Sequence, residues 1–187
     1  SSKSLVDLFD KVNRGYSTEL NVSGWHGEQM DLGDVHRIPS VYYQKVSFNE
    51  QGVRIVCIGD IHSSLKSLTE TIGKLQTLNP PFFVGNTMKI APQCALVFLG
   101  DLVDRGPYSI EVLALVFAIK TIDSENWSRL LVVSGNHESC NTYKSGGLGS
   151  ELVREYPNDY PLFMYLQNGK CTADKLRFLH LLPAAIV

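Results

Sequence analysis

The chain lacks the features that mark several specialised classes of protein. Its four cysteines are scattered, with no Cys-x-x-Cys pair, which argues against a disulfide framework and against a zinc finger. No apolar run approaches the roughly 20 residues that a membrane-spanning helix needs, and the first residues contain no signal-peptide core. No internal repeat or low-complexity tract is present. We therefore expect reduced thiols and a cytoplasmic setting, with a nuclear one also compatible.

A strong excess of charge of one sign is also missing. The 17 basic and 19 acidic residues give a net charge of −2, which argues against a general affinity for nucleic acid. With 187 residues, 44% of them hydrophobic and 19% charged, the chain has the composition of an ordinary globular domain that can bury a core. We expect neither nucleic acid nor a membrane as a partner.

The most informative features are three short polar segments, each directly behind an apolar run. They are Gly59-Asp60-Ile61-His62, the stretch from Gly100 to Gly106, and Gly135-Asn136-His137-Glu138. The runs before them, at 53–58, 95–99 and 130–133, have the composition of buried strands. Open α/β sheets bind ligands outside the carboxyl ends of their strands, so these polar side chains are expected to converge.

The residue types suit metal-assisted hydrolysis of a phosphate ester. Two divalent ions about 3.5–4 Å apart can clamp phosphoryl oxygens and supply a hydroxide at neutral pH. Asp60 and His62 are two residues apart and can point to one side where a strand runs into its loop. Asp101 and Asp104 are three apart, which a turn places on one face. Asn136 offers a neutral amide oxygen, which adds no negative charge to a site that accepts phosphate.

Taken in order, the segments resemble the motifs of the calcineurin-like metallophosphoesterase superfamily, and their Asp-Arg-Gly and Asn-His-Glu endings are similar to its phosphoprotein phosphatase (serine/threonine) branch. The resemblance runs from about residue 53 to 187 and implies an α/β fold, with sheet layers flanked by helices. Residues 41–187 would be the metallophosphoesterase domain with its C-terminal half missing. Residues 1–40 would be an N-terminal lead segment packed on it.

The resemblance also implies a metal centre of two divalent ions, which manganese, iron or zinc would suit alike. Asp60 and His62 would bind the first metal, Asp101 would bridge the two, and Asn136 would bind the second and contact the substrate phosphate. Two further histidines for the second metal, and another arginine for the phosphate, would come from beyond Val187.

The catalytic roles follow from the same resemblance. His137 would be the general acid that protonates the leaving oxygen, and Asp104 would orient it, while Arg105 would grip the phosphate in a bidentate way. Metal-bound hydroxide would attack phosphoserine or phosphothreonine in line, without a covalent phosphoenzyme. Three positions depart from the family. Ser63 and Ser64 replace a glycine and a side-chain amide, and Ser134 replaces an arginine, so one phosphate-binding cation is missing.

Other interpretations stay open. Asp60 and Asp101 can be helix-capping carboxylates, and Asp104 with Arg105 can be a structural ion pair. The same metal site would serve a hydrolase of dinucleotide polyphosphates or other small phosphoesters. From a different class, a catalytically inactive module that binds phosphate or protein is the alternative. The residues indicate no particular regulatory subunit.

A few more residues could belong to the site. His26, His36 and His180 are possible metal ligands, although a core or surface role is commoner for such histidines. Glu138 is expected to make hydrogen bonds behind the site. Lys144 can contact phosphate or simply end a loop.

Periodicity predicts the remaining elements. A helix over 5–12 would end at Asn13-Arg14-Gly15, and 15–37 would be irregular. A strand over 41–48 would turn through 49–52 into the strand from Val53. Ser63 or Ser64 would cap a helix to about Leu78, and a long connection would follow at 79–94. We expect helices over about 109–122, 150–155, 159–168 and 172–182, a turn at 123–126, and a strand at 184–187.

Overall fold

The structure is a computed structural model that describes residues 2–19, 25–28, 41–44, 46–48, 51–139, 142–143, 146–158, 165–167, 170–172, 179, 182–183 and 185–186. For 25–28, 41–44, 165–167, 170–172 and 185–186 only the backbone is described. In chain order the elements are α1 Ser2–Glu19, β1 Trp25–Glu28, β2 Val41–Gln44, β3 Arg54–Ile58, α2 Leu65–Gln76, β4 Cys94–Phe98, α3 Ser109–Lys120, α4 Ser124–Arg129, β5 Leu130–Val132, a 3₁₀ turn Asn136–Glu138, α5 Gly147–Glu155, β6 Tyr165–Gln167, β7 Lys170–Thr172 and β8 Ala185–Ile186.

The site is positioned by a parallel sheet with the strand order β3-β4-β5. Ile58 lies beside Phe98, and Phe98 beside Val132, so the three strands end at one level. The central strand β4 is buried at all five positions, as expected for a parallel strand that is covered on both faces. Helix α3 is apolar almost all round and adds Val112, Val116 and their neighbours to the core. The α/β class is therefore confirmed.

The predicted end of the first helix at Asn13-Arg14-Gly15 is wrong. Helix α1 continues to Glu19, and Gly15 lies where it packs against Trp127. A Cβ on Gly15 would lie 2.2 Å from Cη2 of Trp127, so glycine provides room for the indole ring rather than a helix stop. The N-terminal helix thereby joins the core.

Lys120 lies at the same contact. Its ammonium donates to the carbonyls of Trp127 at 2.6 Å and Leu130 at 2.8 Å, and lies 4.2 Å from the Trp127 ring centroid. Because a buried ammonium needs such partners, this arrangement stabilises the junction of α3 with α4.

The expected hairpin between 41–48 and the Val53 strand is also wrong. β2 pairs with β1 in antiparallel and with β8 in parallel orientation, whereas β3 pairs with β4. The alternation in 41–48 marked a strand but not its partner. β1 lies in the stretch that was expected to be irregular, and the strand expected at 184–187 is confirmed by β8.

Two further local predictions fail. The turn expected at 123–126 begins α4, because the Asp123 carboxylate accepts from the Asn126 N–H at 2.7 Å and caps the helix. The helix expected over 159–168 is contradicted at 165–167, which form β6 in an antiparallel pair with β7. The helix expected over 172–182 lies almost wholly outside the described residues, and Thr172 at its start ends β7. Asn168-Gly169, which stands between β6 and β7 in the sequence, is a typical two-residue hairpin signal.

The predicted helix after the first motif is confirmed. Ser64 caps α2 by accepting from the Ser67 N–H. The connection from 79 to 93 contains an isolated bridge between Phe83 and Ile90 and is tied to α4 by the Asn126 side chain, which accepts from the Ile90 N–H at 2.8 Å. None of the described helices has the length and apolarity needed to cross a lipid bilayer.

Candidate metal and phosphate site

The loops that follow β3 and β4 are joined through their backbones. The N–H groups of Ile61 and His62 both donate to the Asp101 carbonyl, at 3.0 and 2.9 Å, and the Ser63 N–H donates to the Leu102 carbonyl at 2.9 Å. The first two motifs therefore form one unit at the carboxyl edge of the sheet, as the sequence predicted.

These loops contain an unusual concentration of left-handed backbone. Positive φ angles occur at His62 (45°), Ser63 (61°), Asp101 (50°), Asp104 (67°) and Arg105 (65°). For residues with a Cβ this conformation costs on the order of 1–3 kcal/mol each and persists where the surroundings determine it. Such strain is typical of functional sites.

Two glycines allow the second and third motifs to approach. A Cβ on Gly100 would lie 2.3 Å from the Gly135 nitrogen, and a Cβ on Gly135 would lie 2.2 Å from Oδ1 of Asp101. Gly100 also has a φ of 96°. Any larger residue at either position would push the third motif away from Asp101.

Glu138 binds the second and third motifs together. Its Oε2 accepts from the N–H groups of Asp101 and Gly135, and its Oε1 from that of Leu102, each at 2.8 Å. Burial raises the pKa of Glu138, and the three N–H donors oppose that rise. The hydrogen-bonding role expected for Glu138 is thus present, and it acts on the backbone of the site.

His62 is oriented towards two carboxylates. Its Nδ1 lies 3.2 Å from the Val103 carbonyl, and its Nε2 lies 3.7 Å from Oδ2 of Asp60 and 3.9 Å from Oδ2 of Asp101. Nε2 is buried and has no hydrogen-bond partner within the described part of the chain. A buried polar atom without a partner calls for an explanation, and a cation held between imidazole and carboxylate ligands provides one. His62 and the two carboxylates near its Nε2 are therefore candidate ligands of a divalent metal.

His137 lies beside this set. Its backbone N–H donates to Oδ1 of Asp101 at 2.9 Å, and its ring meets that of His62 edge to face with centroids 4.8 Å apart. Possible ligand atoms of His62, Asp101 and His137 all lie within 4.8 Å of one another. The imidazole of His137 is thus within reach of anything bound at the carboxylates.

Asp104 fixes the ring of His137. Its Oδ2 lies 3.0 Å from Nδ1 of His137, and its Oδ1 accepts from the Leu148 N–H at 2.7 Å. Because a carboxylate only accepts, the proton lies on Nδ1 and Nε2 faces outward. Arg105 is exposed, with Nη2 3.4 Å from that Nε2. Asp104 pairs with His137 and not with Arg105, so the alternative of a structural Asp104–Arg105 ion pair is wrong.

The other predicted residues are placed less completely. Asp60 and Asn136 are exposed, and Asn136 opens the 3₁₀ turn that also contains His137. His36, His180 and Lys144 lie outside the described residues, and His26 lies in β1, where only the backbone is described.

Sequence reasoning missed the contribution of α5. Gly146 stands against Asp104, since a Cβ there would lie 2.5 Å from Oδ2 of Asp104, and Leu148 supplies the N–H donor. Glu151, on the same helix, accepts from the N–H groups of Ser109 at 2.7 Å and Ile110 at 3.0 Å. The Gly146-Gly147 pair was the available signal, because paired glycines before a helix allow close backbone approach.

Comparison with known proteins gives a consistent result. A sequence profile of the calcineurin-like phosphoesterase family matches residues 53–182. A Schizosaccharomyces pombe protein, provisionally named a serine/threonine-protein phosphatase, is 35% identical over 154 residues, which cover 82% of this chain and 43% of that protein. The PP2A-like serine/threonine-protein phosphatase PPG1 of Candida albicans is 31% identical over 133 residues, covering 67% of this chain and 28% of the relative.

A solved structure shows the same fold. It is a protein serine/threonine phosphatase from Saccharomyces cerevisiae with similarity to human phosphatase PP5, and it matches 100% of this chain and 44% of its own with a TM-score of 0.64 and 20% sequence identity. The chain spans less than half the length of each of these relatives.

Proposed function

The chain belongs to the calcineurin-like phosphoesterase family, and on that basis we propose that its site hydrolyses phosphate esters of serine and threonine in proteins, with divalent metal ions as cofactors. The observation that supports this best is that possible metal ligands lie next to a possible proton donor. A cation-binding set of Asp60, His62 and Asp101 lies next to a proton-donating pair of His137 and Asp104.

The cation-binding set would hold the metal. His62 contributes Nε2, which has no hydrogen-bond partner among the described residues, and Asp60 and Asp101 each contribute a carboxylate oxygen within 4 Å of it. Asn136 would add an amide oxygen for a second ion and a contact to phosphate. When bound, such ions supply positive charge that polarises the phosphoryl oxygens and lower the pKa of water, which makes hydroxide available at neutral pH.

His137 would transfer the proton. With Nδ1–H held by Asp104, Nε2 is the nitrogen left for the substrate, and in the imidazolium form, which carries a proton on both nitrogens, it can give its proton to the departing serine or threonine oxygen. Asp104 accepts from Nδ1–H and so holds the ring in orientation and stabilises its positively charged form, since its other oxygen is itself held by the Leu148 N–H. Arg105, exposed beside Nε2, can turn its guanidinium to two phosphate oxygens.

The leaving group tests the role of His137. In the whole protein, His137→Asn should lower turnover of an alkyl phosphoserine peptide about 10²–10⁴-fold. An aryl phosphate should lose much less, because a phenolate departs without a proton. The two substrates control for each other, since a general loss of structure or metal lowers both. Equal losses would contradict the assignment of His137 as general acid.

The substrate class needs a separate comparison. The two named relatives are called serine/threonine-protein phosphatases, and from those names we infer a phosphoprotein substrate here. The measurement is kcat/KM for a phosphoserine peptide against that for a dinucleotide polyphosphate. A preference for the peptide supports the proposal. A preference for the dinucleotide makes the protein a small-phosphoester hydrolase, and metal binding without turnover of either makes it an inactive binding module.

A further inference from the structure

We propose that Ser63, Ser109 and Glu151 form a buried network that fixes Asp104 and so orients His137, which makes them positioning residues of the site. The inference rests on the proposed function for its catalytic consequence. Its structural part concerns the His137 ring alone and can be measured whether or not the protein hydrolyses a phosphate ester.

Ser63 is the least expected member. It is fully buried and has a φ of 61°, a conformation that glycine adopts with less strain. A buried hydroxyl is costly unless it is hydrogen-bonded, and here it lies 2.7 Å from Oγ of Ser109 and donates to the Asp104 carbonyl at 3.2 Å. The position therefore incurs both strain and desolvation, and the contacts to Ser109 and Asp104 offset them.

Ser109 continues the network to the backbone of Asp104. It is fully buried at the start of α3, and its Oγ accepts from the Asp104 N–H at 3.4 Å. Its own N–H is held at 2.7 Å by the carboxylate of Glu151, which is 2% exposed. Glu151 thus fixes the first turn of α3, and the turn places the Ser109 hydroxyl.

Helix α5 closes the network. Leu148 and Glu151 are three residues apart on it, so they lie on one face. The Leu148 N–H holds Oδ1 of Asp104, while Glu151 acts on Asp104 through Ser109. Asp104 is therefore held at its N–H, its carbonyl and one carboxylate oxygen. The other oxygen is left for Nδ1 of His137.

The network also joins the two halves of the site. Ser63 directly follows His62, and its N–H donates to the Leu102 carbonyl. A displacement of the Ser63 loop would therefore move the cation-binding set and the His137–Asp104 pair together. A role in stability alone would not require the contacts to converge on Asp104.

The ring of His137 gives the direct measurement. The whole protein is labelled with ¹⁵N-histidine and prepared with diamagnetic Zn²⁺. Long-range ¹H–¹⁵N spectra then give, for His137, the ratio of the Nδ1–H tautomer to the Nε2–H tautomer. We expect Ser63→Ala, Ser109→Ala and Glu151→Gln each to lower this ratio for His137 by about three- to tenfold, the effect of weakening one hydrogen bond. Ser109→Thr keeps the hydroxyl and should restore it.

Ser63→Gly distinguishes the effect of the Ser63 hydroxyl from that of the backbone conformation at this position. It relieves the positive φ and is expected to fold, but it removes the hydroxyl. The network requires this variant to lower the tautomer ratio as Ser63→Ala does. If Ser63→Gly keeps the wild-type ratio, only backbone conformation matters at this position and the proposal is wrong.

Kinetics supply the second readout. The three variants should lower kcat for an alkyl phosphate about tenfold more than for an aryl phosphate, with KM unchanged, because misplaced catalytic groups reduce turnover rather than binding. Ser128→Ala, which removes an exposed serine hydroxyl in α4, should change neither readout. Unchanged tautomer ratios in folded variants overturn the inference. Changed ratios in a protein without phosphatase activity retain it and refute the proposed function.

Discussion

Replacing Glu138 by glutamine tests how the second and third motifs are held together. The carboxylate accepts three backbone N–H groups, from Asp101, Leu102 and Gly135, and is 1% exposed. A glutamine has one amide oxygen and one amide nitrogen. In the better orientation the oxygen keeps the donors of Asp101 and Gly135, and the nitrogen then faces the N–H of Leu102, which loses its acceptor.

The cost follows from that single loss. A buried N–H without an acceptor costs about 1–3 kcal/mol. Part of it is offset because the variant buries no charge, and burial already raises the pKa of Glu138. The free energy of unfolding should therefore fall by about 1–2 kcal/mol, which for a domain of this size lowers Tm by about 2–8 °C. Glu138→Ala leaves all three donors without acceptors and should cost about 3 kcal/mol or more.

Urea unfolding of wild type, Glu138→Gln and Glu138→Ala measures both values. Glu155→Gln is the matched control, because Glu155 is exposed and its partner Arg154 is also at the surface. A glutamine variant within about 0.5 kcal/mol of wild type would refute the reasoning. An alanine variant no less stable than the glutamine one would do the same.

Two further predictions concern packing and pH. Gly15→Ala should destabilise the protein by about 1–3 kcal/mol, because the new methyl group overlaps Trp127. The control Gly73→Ala, inside α2 with open space at its Cβ, should stabilise the protein by up to about 1 kcal/mol. Equal effects of the two substitutions in thermal unfolding would contradict the packing argument. Burial raises the pKa of Glu151 above the ordinary value of 4.5 for a glutamate, so the folded state binds its proton more tightly than the unfolded state does. The contribution of this group is then fully present below pH 4.5 and is lost as pH rises through the folded pKa. The stability of wild type minus that of Glu151→Gln should therefore decrease as pH rises from below 4.5, and an increase would refute the assignment.

The sequence is sufficient to predict at which edge of the sheet the motif residues converge, because each motif directly follows a buried strand. Asp101 and His62 had to meet once β3 and β4 were parallel neighbours, since parallel strands end together. The helix cap at Ser64 was predictable for a similar reason, because a cap depends on residues a few positions away.

The interactions that were not predicted are those between residues distant in sequence. The Leu148 N–H that holds Asp104 is 44 residues away from it, and no local pattern marks a backbone donor. The sequence around Gly15 is typical of a helix stop, whereas the actual role of this glycine, close contact with Trp127, depends on the distant helix α4. The partner of β2 does not follow from its sequence, because alternation specifies which face of a strand is buried and not which strand lies beside it.

Binding of Mn²⁺ by the whole protein, measured by isothermal titration calorimetry, tests the central claim most directly. Wild type is compared with Asp101→Asn, which removes a carboxylate from the cation-binding set, and with Asp7→Asn, a control at an exposed position of α1. The account predicts that wild type and the control bind Mn²⁺ equally, while Asp101→Asn binds at least about tenfold more weakly. Absence of binding by wild type, or equal affinity for all three proteins, would contradict it.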